Sequence, residues 1–239
     1  QGVSSAASDV YKRQLQHHLR DPNRDHQHGR IYRLTYPSRP LLQPKSIHGE
    51  PVEKLLDLLK EHEDSTRQLA KIELDKHDSK TVIAAVQKWE KALDRSDKSF
   101  EHHRLEALWV HQWHNSVNPE LLDTVLKSPE PRARAQAVRV ACYWMDRLPN
   151  ALGIFEAAIK DAAPRVRLEA VRALSFIKGA NVKKAIELAK TVMPEKDYYI
   201  DYCFKETHKQ LRSLGGDYAM PSDPAARAVL IEKATDGEL

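Results

Sequence analysis

Four histidines fall in one segment, Glu101-His-His-Arg-Leu-Glu-Ala-Leu-Trp-Val-His-Gln-Trp-His-Asn115. If the segment is helical, His111 and His114 are i, i+3 neighbours and could share an ion. His103 lies eleven residues before His114, about 16 Å along a helix axis, too far to join them. Two ligands fall short of a zinc set, so hydrogen bonding between helices is the competing role for the pair. A second cluster, Asp21-Pro-Asn-Arg-Asp-His-Gln-His28, offers Asp21, Asp25, His26 and His28. In an extended chain His26 and His28 share a face. Acid plus imidazole can bind a metal or form an Asx-turn network that caps a following strand. Trp109 and Trp113 stand four apart, with Trp89 and Trp144 elsewhere; such rings serve either as core or as an exposed aromatic platform. The chain has no G-x-S-x-G, phosphate-cradling glycine loop, HExxH, HxxEH or Ser/His/Asp elbow, so no catalytic residue is assigned. Without CxxC or CxxCH, covalent haem and cysteine-based zinc are excluded, and no cofactor is expected in this chain. Cys142 and Cys203 read as small buried side chains or as a disulfide.

The elements that must carry these groups are helices. With 8 Gly against 13 Pro, 41% hydrophobic and 30% charged residues, the composition suits a helix-rich protein. From Glu50 the apolar period is 3.6: Val52, Leu55, Leu56 and Leu59 form one stripe, and Val82, Val86, Trp89 and Leu93 another. The pattern predicts helices over 50–61, 65–76, 79–93, 99–115, 118–128, 132–147, 150–161, 164–177, 181–193, 197–214 and 223–235. Asp64, Asn118 and Asp223 are candidate N-caps, with Pro119 and Pro224 at the first helical position. No uninterrupted apolar stretch is long enough to span a bilayer as a helix.

The strongest signal is an internal repeat. Pro131-Arg-Ala-Arg-Ala-Gln-Ala-Val-Arg139 returns as Pro164-Arg-Val-Arg-Leu-Glu-Ala-Val-Arg172, 33 positions on. His103-Arg-Leu-Glu-Ala107 and Thr66-Arg67…Ala70 are earlier copies. The register is set by Arg67 with Ala70, Arg104 with Ala107, Arg134 with Ala137 and Arg167 with Ala170, and one more step puts Cys203 at the alanine position. Small alanines let neighbouring helices approach, and each hairpin buries its apolar face only against the next. The arginines are expected to reach carbonyls or acids of an adjacent repeat. The V-R-x-x-A pattern opening a second helix resembles the HEAT repeat family. The fold expected for 50–239 is an all-α, right-handed solenoid of about five helical hairpins, preceded by an irregular or β-strand N-terminal segment.

Charge separates the same regions. Residues 1–49 hold eight Lys/Arg and three Asp/Glu, whereas the remainder holds 30 basic and 31 acidic residues. A body that tracks phosphates should itself be basic, so the near-neutral solenoid argues against nucleic acid as a partner and favours protein. Gln1–Gln14 lacks an apolar secretory core and resembles non-native sequence read through at the junctions of environmental gene fragments. In 15–49, Gly29-Arg-Ile-Tyr-Arg-Leu-Thr-Tyr36 reads as a strand entered from a polar turn, which cannot stand alone.

The segment LQHHLRDPNRDHQHGRIYRLTYPSRPLL, followed by DLLKEHEDSTRQLAKIEL and EHHRLEALWVHQWHN, resembles the large membrane-bound dehydrogenase-like proteins of planctomycete and related bacteria. In that architecture a sugar-dehydrogenase-type β-propeller precedes HEAT repeats and often a c-type cytochrome domain. The resemblance implies that 15–49 is the end of a propeller, that 50–239 is a connecting or docking solenoid without catalysis of its own, and that the compartment is periplasmic or otherwise extracytoplasmic. It implies as partners the adjacent propeller or cytochrome domain, or another protein. Asp236-Gly-Glu-Leu239 follows directly on a predicted helix, so further repeats are expected beyond it. A different class is also open: all-helical alkylpurine DNA glycosylases of HEAT-like fold use tryptophans as platforms, a role Trp109, Trp113 and Trp144 could fill.

Overall fold

The structure is a computed structural model that describes residues 40–194 and 196–214, with 27, 38, 223–225, 227 and 228. The chain divides into two compact units, Gln1–Pro44 and Lys45–Leu239. The strand expected at 29–36 and the cluster Asp21, Asp25, His26 and His28 lie outside the described residues. All that follows concerns the second unit.

Its described residues form ten α-helices in five antiparallel hairpins. The first pairs α1 (Val52–Leu58) with α2 (Asp64–Leu74), and the second α3 (Ser79–Lys91) with α4 (Phe100–Trp113). The third is α5 (Pro119–Leu126) with α6 (Pro131–Tyr143), the fourth α7 (Ala151–Ala158) with α8 (Pro164–Leu174). The fifth, α9 (Val182–Lys190) with α10 (Tyr198–Ser213), is entered through a 3₁₀ turn at Gly179–Asn181. The hairpins pack in a row, as an α-solenoid must.

Local sequence explains where helices start. Asn118 accepts from the Leu121 N–H and Pro119 follows it, so the cap and the fixed proline φ cooperate. Asp78, Asn150 and Asp197 cap α3, α7 and α10 in the same way. A Cβ on Gly153 would meet the folded-back Asn150 amide at 2.3 Å, so the absence of a side chain there lets that cap close. Asp64 departs from its expected role. It is the first helical residue of α2, behind Glu63, and makes no cap hydrogen bond; its carboxylate pairs with Arg67 instead. The expected helices overrun the observed ends because the last turns tighten: Leu59, Lys60 and Glu61 N–H groups reach carbonyls only three residues back.

The second helices share a continuous core. Ala70, Ala107, Ala137 and Ala170 all have zero exposure, and Trp144, Phe155, Leu108 and Leu174 are buried around them. Cys203, half-buried, sits against the Leu168 carbonyl at 3.8 Å, at the position the repeat assigned to it. Both cysteines are free thiols, which removes the disulfide alternative. Among the described residues no helix is long and apolar enough to cross a membrane.

Candidate interaction surface

The repeating arginines hold the turns between helices. Arg134 Nη1 donates to the Ser128 and Pro129 carbonyls at 2.8 and 3.3 Å. Its Nε and Nη2 form a bidentate pair with Asp161 of the next hairpin at 2.7 and 2.8 Å. Arg167 repeats the first half one hairpin on, donating to the Asp161 and Ala162 carbonyls. Arg67 does the same to the Glu61 and His62 carbonyls and extends Nε to Glu106 of α4 at 3.2 Å. Arg104 departs from the pattern. It pairs with Glu101 on its own helix and lies over the Phe100 ring, while Glu101 accepts from the Ser128 hydroxyl of the next turn. Asp161 and Glu106 are the acids expected of an adjacent repeat, whereas the carbonyls reached belong to each arginine's own turn and not to a neighbour. Direct hydrogen bonding by Arg134 holds the Asp161 carboxyl below the usual carboxylate range.

Between α2 and α4, the second helices of the first two hairpins, the junction is polar. Glu106 is 1% exposed and receives Lys71 Nζ at 2.8 Å and Arg67 Nε at 3.2 Å, with His102 Nε2 at 3.4 Å. Burial pushes the Glu106 carboxyl up, but the His102 ring and the Lys71 charge outweigh it and hold it below its ordinary value. A carboxylate saturated by cations is a counter-ion, not an acid poised near neutrality. Lys71 also lies 5.1 Å from the Trp109 ring centroid. Above this junction opens a cleft of about 1180 Å³, lined by His102, Trp109, Arg132, Gln136 and Arg165 among others.

The paired histidines of α4 go to different partners. His111 is buried; its Nδ1 lies 3.2 Å from the Ser116 carbonyl and its Nε2 3.2 Å from Asn118 Nδ2. A carbonyl can only accept and an amide NH₂ only donate, so the ring is neutral with its proton on Nδ1. Burial lowers its pKa. His114 Nδ1 stands 3.1 Å from the Ser79 hydroxyl. Among the described residues no group of three or more His, Cys, Asp or Glu could hold a metal ion. Of the tryptophans, Trp144 is core, Trp89 and Trp109 are half-buried against it, and Trp113 is 42% exposed.

Counting from the register arginines brings out a surface that reading the sequence as isolated motifs missed. Nine positions after Arg104, Arg134 and Arg167 stand Trp113, Tyr143 and Phe176, with 42%, 56% and 51% exposure. Five positions after them stand Trp109, Arg139 and Arg172, followed by Lys205 on α10. Two positions before them stand His102, Arg132 and Arg165. The C-terminal ends of consecutive second helices, with Phe176 in the turn just past α8, therefore present an aromatic row beside a basic row. α6 holds three arginines and no acid, and α8 three arginines and one acid. That acid, Glu169, is buried and shared by Arg165 at 3.2 Å and Arg172 at 3.0 Å. The near-neutral total of residues 50–239 thus averages over a segregated surface, a distinction composition cannot register.

Stacked hairpins with a register Arg and a zero-exposure Ala define this unit as an α-solenoid. The family model for HEAT repeats matches residues 118–200, which make up a HEAT-repeat region running from α5 into α10. No curated protein matches the chain.

Proposed function

We propose that the unit is a non-catalytic protein-binding scaffold, with the outward face of its second helices as the working surface. HEAT repeats commonly mediate protein interaction, and the observation that carries the reading here is the register-matched row of exposed rings flanked by arginines. Tyr, Trp and Arg are the side chains that dominate protein interfaces. The ionisable groups most suggestive of chemistry are already engaged: Glu106 neutralises cations and His111 ties the α4–α5 loop. The resemblance of residues 15–239 to propeller–HEAT–cytochrome proteins supports placing the scaffold between those domains, in an extracytoplasmic compartment. Cross-linking mass spectrometry on the product of the complete open reading frame tests this. The expected result is cross-links from Lys205 and Lys209 to a neighbouring domain or a bound protein; links confined to the solenoid overturn it.

A further inference from the structure

We propose that the row Trp113, Tyr143 and Phe176, with Arg139 and Arg172 beside it, is a docking track for an extended acidic peptide in polyproline-II conformation, with an apolar side chain at every third residue. The inference rests on the scaffold reading and names the partner's chemistry.

The spacing argument comes first. Helices packed side by side lie roughly 8–10 Å apart, and α4, α6 and α8 pack consecutively. One exposed ring per helix at a fixed register position therefore repeats at about that distance. A polyproline-II chain has three residues per turn at about 3.1 Å each, which returns the same face every 9 Å or so. A β-strand returns its face after about 6.6 Å and falls out of step by the second ring. Each third side chain of a polyproline-II segment can sit between successive rings, and such a segment gives up little entropy on binding because it is already extended.

Charge selects the sign of the ligand. Arg139 forms no ion pair among the described residues. Arg165 and Arg172 share the single carboxylate of Glu169, which leaves one positive charge uncompensated. Arg172 also lies 5.6 Å from the Phe176 ring centroid, so its guanidinium is held at the edge of the aromatic row. Lys205 prolongs the basic row, though Asp201 at 3.4 Å occupies part of its charge. Carboxylates on the peptide, placed between its apolar residues, meet Arg139, which has no acid among the described residues, and the one charge that Glu169 leaves uncompensated on Arg165 and Arg172.

Fluorescence polarisation on the whole chain tests the track, using a fluorescein-labelled (Leu-Glu-Pro)n peptide long enough to cross four hairpins. Saturable binding is expected, weakened at least about tenfold by the double substitution Tyr143→Ser/Phe176→Ser and by Arg139→Glu. Leu69→Ser, at an exposed residue of α2 off the track, leaves binding unchanged. Because Tyr143 and Phe176 are exposed, circular dichroism is expected to show the double variant folded; if it unfolds, Arg139→Glu alone decides. No binding overturns the proposal. So does equal binding of a peptide of the same composition with leucine at alternate positions, since charge alone then suffices. Tighter, steeply salt-dependent binding of single-stranded DNA also overturns it, assigning the rings to base stacking. Cross-links from a partner to other parts of the solenoid, with no peptide binding, sink the track while leaving the scaffold reading intact.

Discussion

The two halves of the described unit solve one stacking problem by different physics. In the N-terminal pair of hairpins the first helices, α1 and α3, pack together, whereas the backbones of α2 and α4 scarcely approach. Their junction is spanned by long side chains converging on Glu106. Downstream, α6 meets both α4 and α8, and α8 meets α10, through closely approaching second helices. Ala133, Ala137 and Ala141 on α6 and Ala170 and Ala173 on α8 are all buried. The matched HEAT-repeat region, residues 118–200, coincides with this alanine-lined stack and leaves α1–α4 outside. A family pattern records small residues at fixed positions; a salt bridge can replace them and still continue the row.

The contrast is best broken at Glu106. Glu106→Gln leaves Lys71 and Arg67 facing a neutral amide in a buried site, and about 3 kcal/mol of stability should be lost by chemical denaturation. Amide exchange should rise in α1–α3 while α6–α8 keep their protection. Replacing Lys71 and Glu106 together with apolar residues, as in Lys71→Met/Glu106→Leu, should recover part of the loss, because a buried pair need not beat a hydrophobic contact of similar volume, while Arg67 keeps its turn carbonyls. A double variant as unstable as the single one would show that the charges are indispensable. The converse substitution, Ala170→Leu, overfills the close contact of the alanine stack and should cost about 2 kcal/mol. The same alanine-to-leucine change at the exposed Ala84 of α3 should cost little by comparison. If Ala170→Leu is tolerated as easily as a surface change, the stack is looser than its alanines imply.

These partners also mark what the sequence could and could not disclose. Arg134 and Ala137 were legible because a repeat copies them, and Asn118 because cap and proline are adjacent in the chain. Asp161, Glu106 and Glu169 were not, since each meets its cation across a hairpin or deep within a helix face. An acid on a helix reads as solvated until the neighbouring helix is known to cover it. The aromatic row was hidden for a related reason. Trp113 stood in a local motif, but Tyr143 and Phe176 are unremarkable singly and become a surface only when counted from the arginine register. Asn118 bears on both scales. It caps α5 through Oδ1 and gives Nδ2 to His111, so Asn118→Ala should cost about 1 kcal/mol in thermal unfolding, and more if the His111 contact counts separately.

The smallest effect is set by pH. His103 and His111 lie on α4 and His114 is its C-cap, and burial chiefly holds each below its ordinary value of 6.5. The unfolded chain therefore takes up protons that the native state refuses. The stabilisation from keeping these rings neutral is complete above about pH 6.5 and is lost progressively as pH falls below it. Carboxylates act in a separate window. Glu73 is held at about 2, first by the Gly49 N–H, and its contribution persists until the pH drops below the ordinary carboxylate value near 4.5. Between pH 7.5 and 5.5 the histidines thus dominate, and the softening should begin in α4 and α5, where a proton on His111 Nε2 would face the Asn118 amide. His111→Gln should flatten the fall in melting temperature over that interval, and exchange protection should decline there before it does in α6–α8. An unchanged slope would assign the acid sensitivity to His103 and His114 instead of to the loop that joins the polar junction to the alanine stack.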